Sequence, residues 1–157
     1  MTKLTSEQKS LDCQLVEMTA EDIEQVALIE RSCFSNPWPE ESFRHDISNS
    51  FAYTLVAKEG RVVLGYLVAY LIAEELQIAN IAVRPQYRRR GIGRSLLAMA
   101  LSEGRRIGCR YAILEVRPSN VAAIQLYGKF GFRRVGRRPK YYAAPSEDSL
   151  IMGRNLT

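Results

Sequence analysis

Apolar residues first recur at helical spacing: Ile23, Val26, Ile29 and Cys33 stand three or four apart. They follow Thr19-x-x-Asp22, a capping-box order with Asp in place of the usual Glu or Gln. Ser35-Asn36-Pro37-Trp38-Pro39 breaks that helix, and a second short one carries Phe43 and Ile47, with Pro39 suited to its first turn, where no amide donor is needed. The pattern then changes to that of strands. Residues 52–58 and 61–70 are rich in apolar and β-branched side chains and are parted by Glu59-Gly60, a tight hairpin turn. A third strand covers about residues 75–83. Helical spacing returns after two glycines, with Ile92, Leu96, Met99 and Ala100 on one side, and stops near Gly108. Residues 111–116 read as a buried strand whose one polar member is Glu115. Ser119-Asn120 can cap a further helix that turns Ile124, Tyr127 and Phe130 inward. Strands at 132–138 and 149–156 close the chain, joined by a polar loop that holds Tyr141, Tyr142, Glu147 and Asp148. This order predicts an α/β fold, a mixed and mostly antiparallel sheet with helices on both faces. Residues 1–12 read as a disordered polar tail and 13–157 as one domain, with no repeat, low-complexity tract or linker to divide it.

Composition narrows the class. A chain of 157 residues, 46% apolar and 25% charged, has the make-up of one soluble globular domain with a real core. No stretch approaches the roughly 18 uninterrupted apolar residues of a membrane span, and the polar start lacks the apolar core of an export signal. The three cysteines, Cys13, Cys33 and Cys109, are odd in number and far apart, and His45 is the single histidine. That argues against a disulfide scaffold or a Cys/His metal site and for a reducing cytoplasm. The net charge of +5 suits an anionic cofactor, an acidic peptide or RNA, and does not choose among them.

The chemistry concentrates in residues 80–97. A short apolar strand meets Pro85, then a basic turn with Gly91 and Gly93, then a helix. The first amides of a helix have no internal partners and carry the positive end of its dipole. Glycines let a phosphate approach those amides, and Arg88, Arg89, Arg90 and Arg94 add forked donors. A nucleoside-triphosphate loop would need Gly-x-x-x-x-Gly-Lys-Ser/Thr, which is absent. A dinucleotide turn would need a third glycine where Leu96 stands and a strand entering the glycines directly, although Glu115, about twenty residues on, suits its ribose-binding acid.

Coenzyme A is the third ligand class. Arg88-x-x-Gly91-x-Gly93 after Ile81-Ala82-Val83, with Asn120, Tyr127 and Gly131-Phe132 downstream, resembles the Arg/Gln-x-x-Gly-x-Gly/Ala signature and order of the GCN5-related N-acetyltransferases. Residues 114–127, Asn36-Pro37-Trp38-Pro39-Glu40-Glu41-Ser42-Phe43 and Arg138-x-x-Tyr141-Tyr142 with Glu147-Asp148 narrow the likeness to bacterial enzymes that acetylate the N-terminal alanine of a small-subunit ribosomal protein. It covers about residues 14–155. The resemblance implies acetyl-CoA as donor, a protein N-terminus as acceptor, and no metal, membrane or specific nucleic acid, while leaving room for further subunits of a complex. It also implies a sheet that splays at the cofactor. The backbone of Ile81, Ala82 and Val83 would pair with the pantetheine arm, and the amides of Arg89, Arg90, Gly91, Ile92, Gly93 and Arg94 would hold the pyrophosphate.

Acetyl transfer to an amine needs a neutral nucleophile, a place for an oxyanion in the tetrahedral intermediate, and a proton for the departing thiolate. Glu115 is the general-base candidate: a carboxylate in an otherwise apolar strand, where burial favours proton uptake, acting directly or through a water. Its plainer reading is an edge glutamate paired with Arg117 or Arg105. Tyr127 is the general-acid candidate, and its plainer reading is a core tyrosine. A backbone amide near Val83 would meet the oxyanion. The resemblance implies a contact of Asn120 with the cofactor arm; its plainer reading is a helix cap, and the two roles are compatible. Trp38, Tyr141 and Tyr142 are candidate walls for the peptide, with Glu40, Glu41, Glu147 and Asp148 available to a basic second residue. Two other readings stay open: the same fold acting on a lysine or a small amine, and a non-catalytic basic module on RNA or the ribosome. Only Tyr87 adjoins the basic run, which is thin for an RNA reader.

Overall fold

The structure, a computed structural model, describes residues 13–143 and 146–157, and their side chains outside 140–146. The tail expected at 1–12 lies outside the described residues. In chain order the elements are β1 (Gln14–Glu17), a 3-10 turn (Ala20–Asp22), α1 (Ile23–Cys33), α2 (Glu40–Ile47), β2 (Ala52–Glu59), β3 (Val62–Ile72) and β4 (Glu75–Val83). A second 3-10 turn (Pro85–Tyr87), α3 (Ile92–Arg106), β5 (Tyr111–Val116), α4 (Val121–Lys129), β6 (Arg133–Ala143) and β7 (Ser146–Asn155) follow. The strands form one mixed sheet in the order β1-β2-β3-β4-β5-β7-β6. β4 and β5 are parallel, whereas β1–β2, β5–β7 and β6–β7 are antiparallel.

The four expected helices are present, and their bounds and those of the strands differ from expectation in three places. β1 went unpredicted because it has only four residues, none of them buried, at an end of the sheet. The loop expected before residue 149 is largely strand, with Tyr142 opposite Glu147 and Ala143 opposite Ser146. Its composition disguised it: Pro139, Pro145, Ser146, Glu147 and Asp148 read as a loop in sequence, whereas the strand expected at 132–138 is the first part of β6, the other edge of the sheet. Pro39 caps α2 from just outside, in extended conformation at φ −69° and ψ 155°, rather than within its first turn.

The chain forms two compact units, and β3, β4 and α3 each contribute to both. One comprises residues up to 68 together with 80–97. Its core is built from Ile23, Val26 and Ile29 of α1, Phe43 of α2, Val56 and Ala57 of β2, and Leu64, Tyr66 and Leu67 of β3. The 3-10 turn is pinned by Asp22, which accepts from the Thr19 amide at 2.9 Å and pairs with Lys58 at 2.8 Å. Gly65 lets β3 and β4 approach: a Cβ there would lie 2.8 Å from the Ala82 carbonyl oxygen.

The other unit comprises residues 69–79 and 98–157. It buries Leu76 and Ile78 of β4, Ala100 and Leu101 of α3, Ala112, Leu114 and Val116 of β5, Tyr127, Phe132, Leu150 and Met152. Gly104 admits the Leu76 side chain, whose Cδ2 lies 3.0 Å from where a Cβ would stand. Met99, expected inside, is exposed, because the buried stripe of α3 runs through Leu97, Leu101 and Gly104. β5 is not buried throughout: Tyr111, Ile113 and Glu115 form a half-buried face opposite the buried one. Its ladder with β4 runs from Glu75 opposite Tyr111 to Ile78 opposite Leu114 and ends there, as the expected opening of the sheet requires, while β4 continues to Val83. Among the described residues no helix is long and apolar enough to cross a membrane.

Candidate active site

The unit that contains residues 80–97 holds the expected cofactor residues other than Asn120, which lies in the second unit. Ile81, Ala82 and Val83 finish β4, with Ala82 buried and its neighbours half-buried. Arg84 fastens the end of that strand: its amide donates to the Leu64 carbonyl at 2.8 Å and its Nε to the Val63 carbonyl at 2.6 Å. The turn that follows is left-handed at Arg89 (φ 65°) and Gly91 (φ 79°). Two such residues close together aim successive amides into one concavity, and at Gly91 the conformation itself calls for glycine. Gly93 is instead helical, within the first turn of α3. Ser95 is bonded to the Gly91 carbonyl at 3.0 Å, so the amides ahead of it belong to the part of a helix that lacks internal acceptors.

The arginines divide by task. Arg88 folds back, donating through Nε to the Val83 carbonyl at 3.3 Å and through Nη2 to the Cys33 sulfur at 3.3 Å. Arg90 stacks over the Tyr87 ring, 5.0 Å from its centroid. Arg89 and Arg94 are exposed and have no protein partner among the described residues, which leaves two guanidinium groups beside the open helix start.

In the same unit Glu30 is buried with 1% exposure. Its Oε2 accepts the Trp38 amide at 2.8 Å, and its Oε1 accepts the Asn80 side-chain amide at 2.6 Å and the Tyr66 hydroxyl. Burial, reinforced by the charge and hydrogen bond of Glu30, pushes the Tyr66 phenol well above its ordinary range, so it stays a donor. Trp38 is half-buried and its ring lies 5.6 Å from that of Phe43, which meets Tyr66 edge-on at 5.6 Å. Sequence reading passed over this cluster, although it left a signal. Glu30 stands four residues after Val26 and seven after Ile23, on the apolar stripe of α1, and Asn80 shares the inward face of β4 with Leu76, Ile78 and Ala82.

The second unit holds the expected acid–base residues. Glu115 is 24% exposed, not isolated among apolar groups. Its Oε1 pairs with Arg138 at 2.7 Å and its Oε2 accepts the Ser149 hydroxyl at 3.2 Å. The partner is therefore neither Arg117 nor Arg105: Arg117 pairs with Glu147 at 3.1 Å. The cause is register. Glu115 faces Ile151 on β7, two residues from Ser149, and Arg138 lies opposite Ser149 on β6. Tyr127 is buried on α4, its ring 6.0 Å from Phe132 and edge-on to it. Asn120 caps α4 by accepting the Ala123 amide at 3.2 Å.

Of the acids offered to a basic acceptor, three carry internal partners. Glu40 pairs with Arg44 at 2.7 Å, Asp148 with Arg137 at 3.4 Å, and Glu147 also takes the Ser119 hydroxyl at 2.9 Å. The Arg117 and Ser119 hydrogen bonds hold the Glu147 carboxyl below its usual range. The side chains of Tyr141 and Tyr142 lie outside the described residues; their backbone belongs to β6.

The model of the acetyltransferase (GNAT) family matches residues 23–132. The chain is similar to the ribosomal protein bS18-alanine N-acetyltransferase of Escherichia coli, 33% identical over 126 residues that make up 79% of this chain and 84% of that protein. It is similar as well to the N-alpha-acetyltransferase RimI of Mycobacterium tuberculosis, 34% identical over 144 residues, 88% of this chain and 89% of the other. The crystal structure of the ribosomal-protein-S18-alanine N-acetyltransferase from Escherichia coli aligns with a TM-score of 0.85 at 28% identity, covering 92% of this chain and 94% of that one.

Proposed function

The chain belongs to the acetyltransferase (GNAT) family, and we propose that it transfers the acetyl group of acetyl-CoA to the N-terminal α-amino group of a protein, with the N-terminal alanine of ribosomal protein bS18 as the preferred acceptor. The observation that carries this reading is the likeness to a protein of that named activity across 79% of this chain and 84% of the other. The cradle supports it: a left-handed turn at Arg89 and Gly91, a helix start, and Arg89 and Arg94, which have no partner among the described residues, together suit a diphosphate. Bound there, acetyl-CoA would supply an acyl group already activated as a thioester. The backbone of Ile81, Ala82 and Val83, beyond the end of the β4–β5 ladder, would carry the pantetheine arm as an added strand.

A free α-amino group has a pKa of about 7.7–8.0, against about 10.4 for a lysine side chain, so a carboxylate base can deprotonate it near neutral pH. Glu115 takes that proton in this mechanism, directly or through one water. Arg138 and Ser149 keep its carboxylate in one orientation. Tyr127, a phenol that ordinarily holds its proton below about pH 10, returns a proton to the leaving thiolate. A backbone amide near Val83 meets the developing oxyanion. Asn120 adds a contact to the cofactor arm beside its observed cap. Trp38, Tyr141 and Tyr142 line the path of the acceptor peptide.

The test is a competition among acceptors. Purified protein is incubated with acetyl-CoA and an Ala-first peptide, its N-blocked lysine-containing counterpart and a small amine, and the products are identified by mass spectrometry. Acetyl on the α-amine of the first peptide is expected; acetylation confined to the blocked peptide would sink the reading.

A further inference from the structure

Glu30 occupies a position that the helical pattern assigns to an apolar residue. Burying a carboxylate costs free energy unless hydrogen bonds replace its water. Three donors do so here, from three separate segments: Trp38 in the loop between α1 and α2, Tyr66 on β3 and Asn80 on β4. No cation is paired with Glu30 among the described residues, so these hydrogen bonds are its compensation.

The chain allows only one such anchor. Pro37 and Pro39 flank Trp38 and have no amide hydrogen, so Trp38 is the one residue of the three that can donate from the backbone. That amide is the one Glu30 accepts. The same carboxylate holds Asn80, the residue immediately before Ile81, Ala82 and Val83. The ring of Trp38 is steadied from a second side by Phe43, itself set against Tyr66.

We infer that Glu30 is a positioning residue for acceptor specificity: it fixes the Pro37-Trp38-Pro39 loop to the strand that carries the cofactor, and so places Trp38 as a wall for the incoming peptide. This rests on the acceptor assignment made above. Glu30 touches no reacting atom in this account and acts through Trp38. Its loss should weaken peptide binding while leaving acetyl-CoA binding and the chemical step largely intact.

Trp38 is the only tryptophan of the chain, so its fluorescence reports the placement of the loop without reference to activity. Glu30→Met keeps the length of the side chain and removes both oxygens. The expected result is red-shifted, more readily quenched Trp38 emission and a KM for the Ala-first peptide raised roughly fivefold or more, with kcat and the KM for acetyl-CoA within about twofold. Glu30→Gln should restore both readouts toward wild type, because its amide oxygen can accept from Trp38 while Tyr66 and Asn80 reorient. If Glu30→Met does not fold, the double variant Glu30→Met with Tyr66→Phe, which strands one polar group fewer, is measured in its place. Unchanged emission and peptide KM would overturn the inference. So would a joint rise of both KM values with a fall in kcat, the signature of general loosening. Should wild-type protein acetylate no peptide N-terminus, the acceptor assignment and the specificity role fall together, while the emission of the variant still decides whether Glu30 holds the loop.

Discussion

Gly65→Ala is the smallest change that presses on the cofactor strand. A methyl at that position would lie 2.8 Å from the Ala82 carbonyl oxygen and 3.3 Å from both Cα and Cγ2 of Val83. A carbon and a carbonyl oxygen ordinarily stay about 3.3–3.6 Å apart, so the strand must retreat by about 0.5–0.8 Å. Two of the three atoms are backbone, and no rotamer change can relieve them. Overpacking of this kind costs about 1–3 kcal/mol, which in a chain of this length lowers the melting midpoint by roughly 2–12 °C. The displaced residues are those assigned to the pantetheine arm, and misplacement approaching 1 Å can lower rates by up to about a hundredfold. The assay is a thermal melt with and without coenzyme A, followed by initial rates over a range of acetyl-CoA concentrations. A lower midpoint is expected, with kcat/KM for acetyl-CoA down about tenfold to a hundredfold. Gly128→Ala is the control: it lies in α4 at an ordinary φ with nothing within 4 Å of the added carbon, and should leave both quantities unchanged or raise the midpoint slightly. A Gly65→Ala enzyme with a lowered midpoint but full kcat/KM would refute the assignment of β4 to the cofactor.

Further outcomes follow from the second unit. Glu115→Gln should lower kcat about a hundredfold or more, with the KM for acetyl-CoA little changed, in initial-rate measurements across pH; wild-type rates at every pH would remove Glu115 as the base. Tyr127→Phe should lower kcat without shifting the melting midpoint by more than a few degrees, and an unaffected kcat would return Tyr127 to a purely structural role. Glu147 is held below the ordinary carboxylate range first by Arg117 and then by Ser119. Its stabilisation is therefore complete above the unfolded value of about 4.3 and fades as pH falls through the lower folded value. The gap in melting midpoint between wild type and Glu147→Gln should accordingly be present at pH 7 and close as the pH drops below about 4; a gap independent of pH would contradict that origin.

Period and punctuation made the helices and the central strands legible. Ile23, Val26 and Ile29 repeat as a helix must, and Asn120 stands where a cap is needed and accepts the Ala123 amide. The edge strands were less legible: β1 is short with no buried residue, and β6, expected over 132–138, continues past Pro139 into a stretch that reads as a loop. The setting of Glu115 could not be read either. Its partner Arg138 is 23 residues away and reaches it through the pairing of β5 with β7 and β7 with β6, which is set by register, not local sequence. Glu30 was hidden for the opposite reason. It sits in an apolar stripe, where the flanking pattern predicts a helix equally well with or without it.

The proposed acceptor is a protein α-amine. The most direct measurement is the site of acetylation when purified protein, acetyl-CoA, an Ala-first peptide with the N-terminal sequence of bS18, and its N-blocked lysine-containing counterpart are combined and analysed by tandem mass spectrometry. Acetyl is expected on the alanine α-amine and none on the blocked peptide. Acetyl on the lysine of the blocked peptide, with the free N-terminus left unmodified, would contradict it.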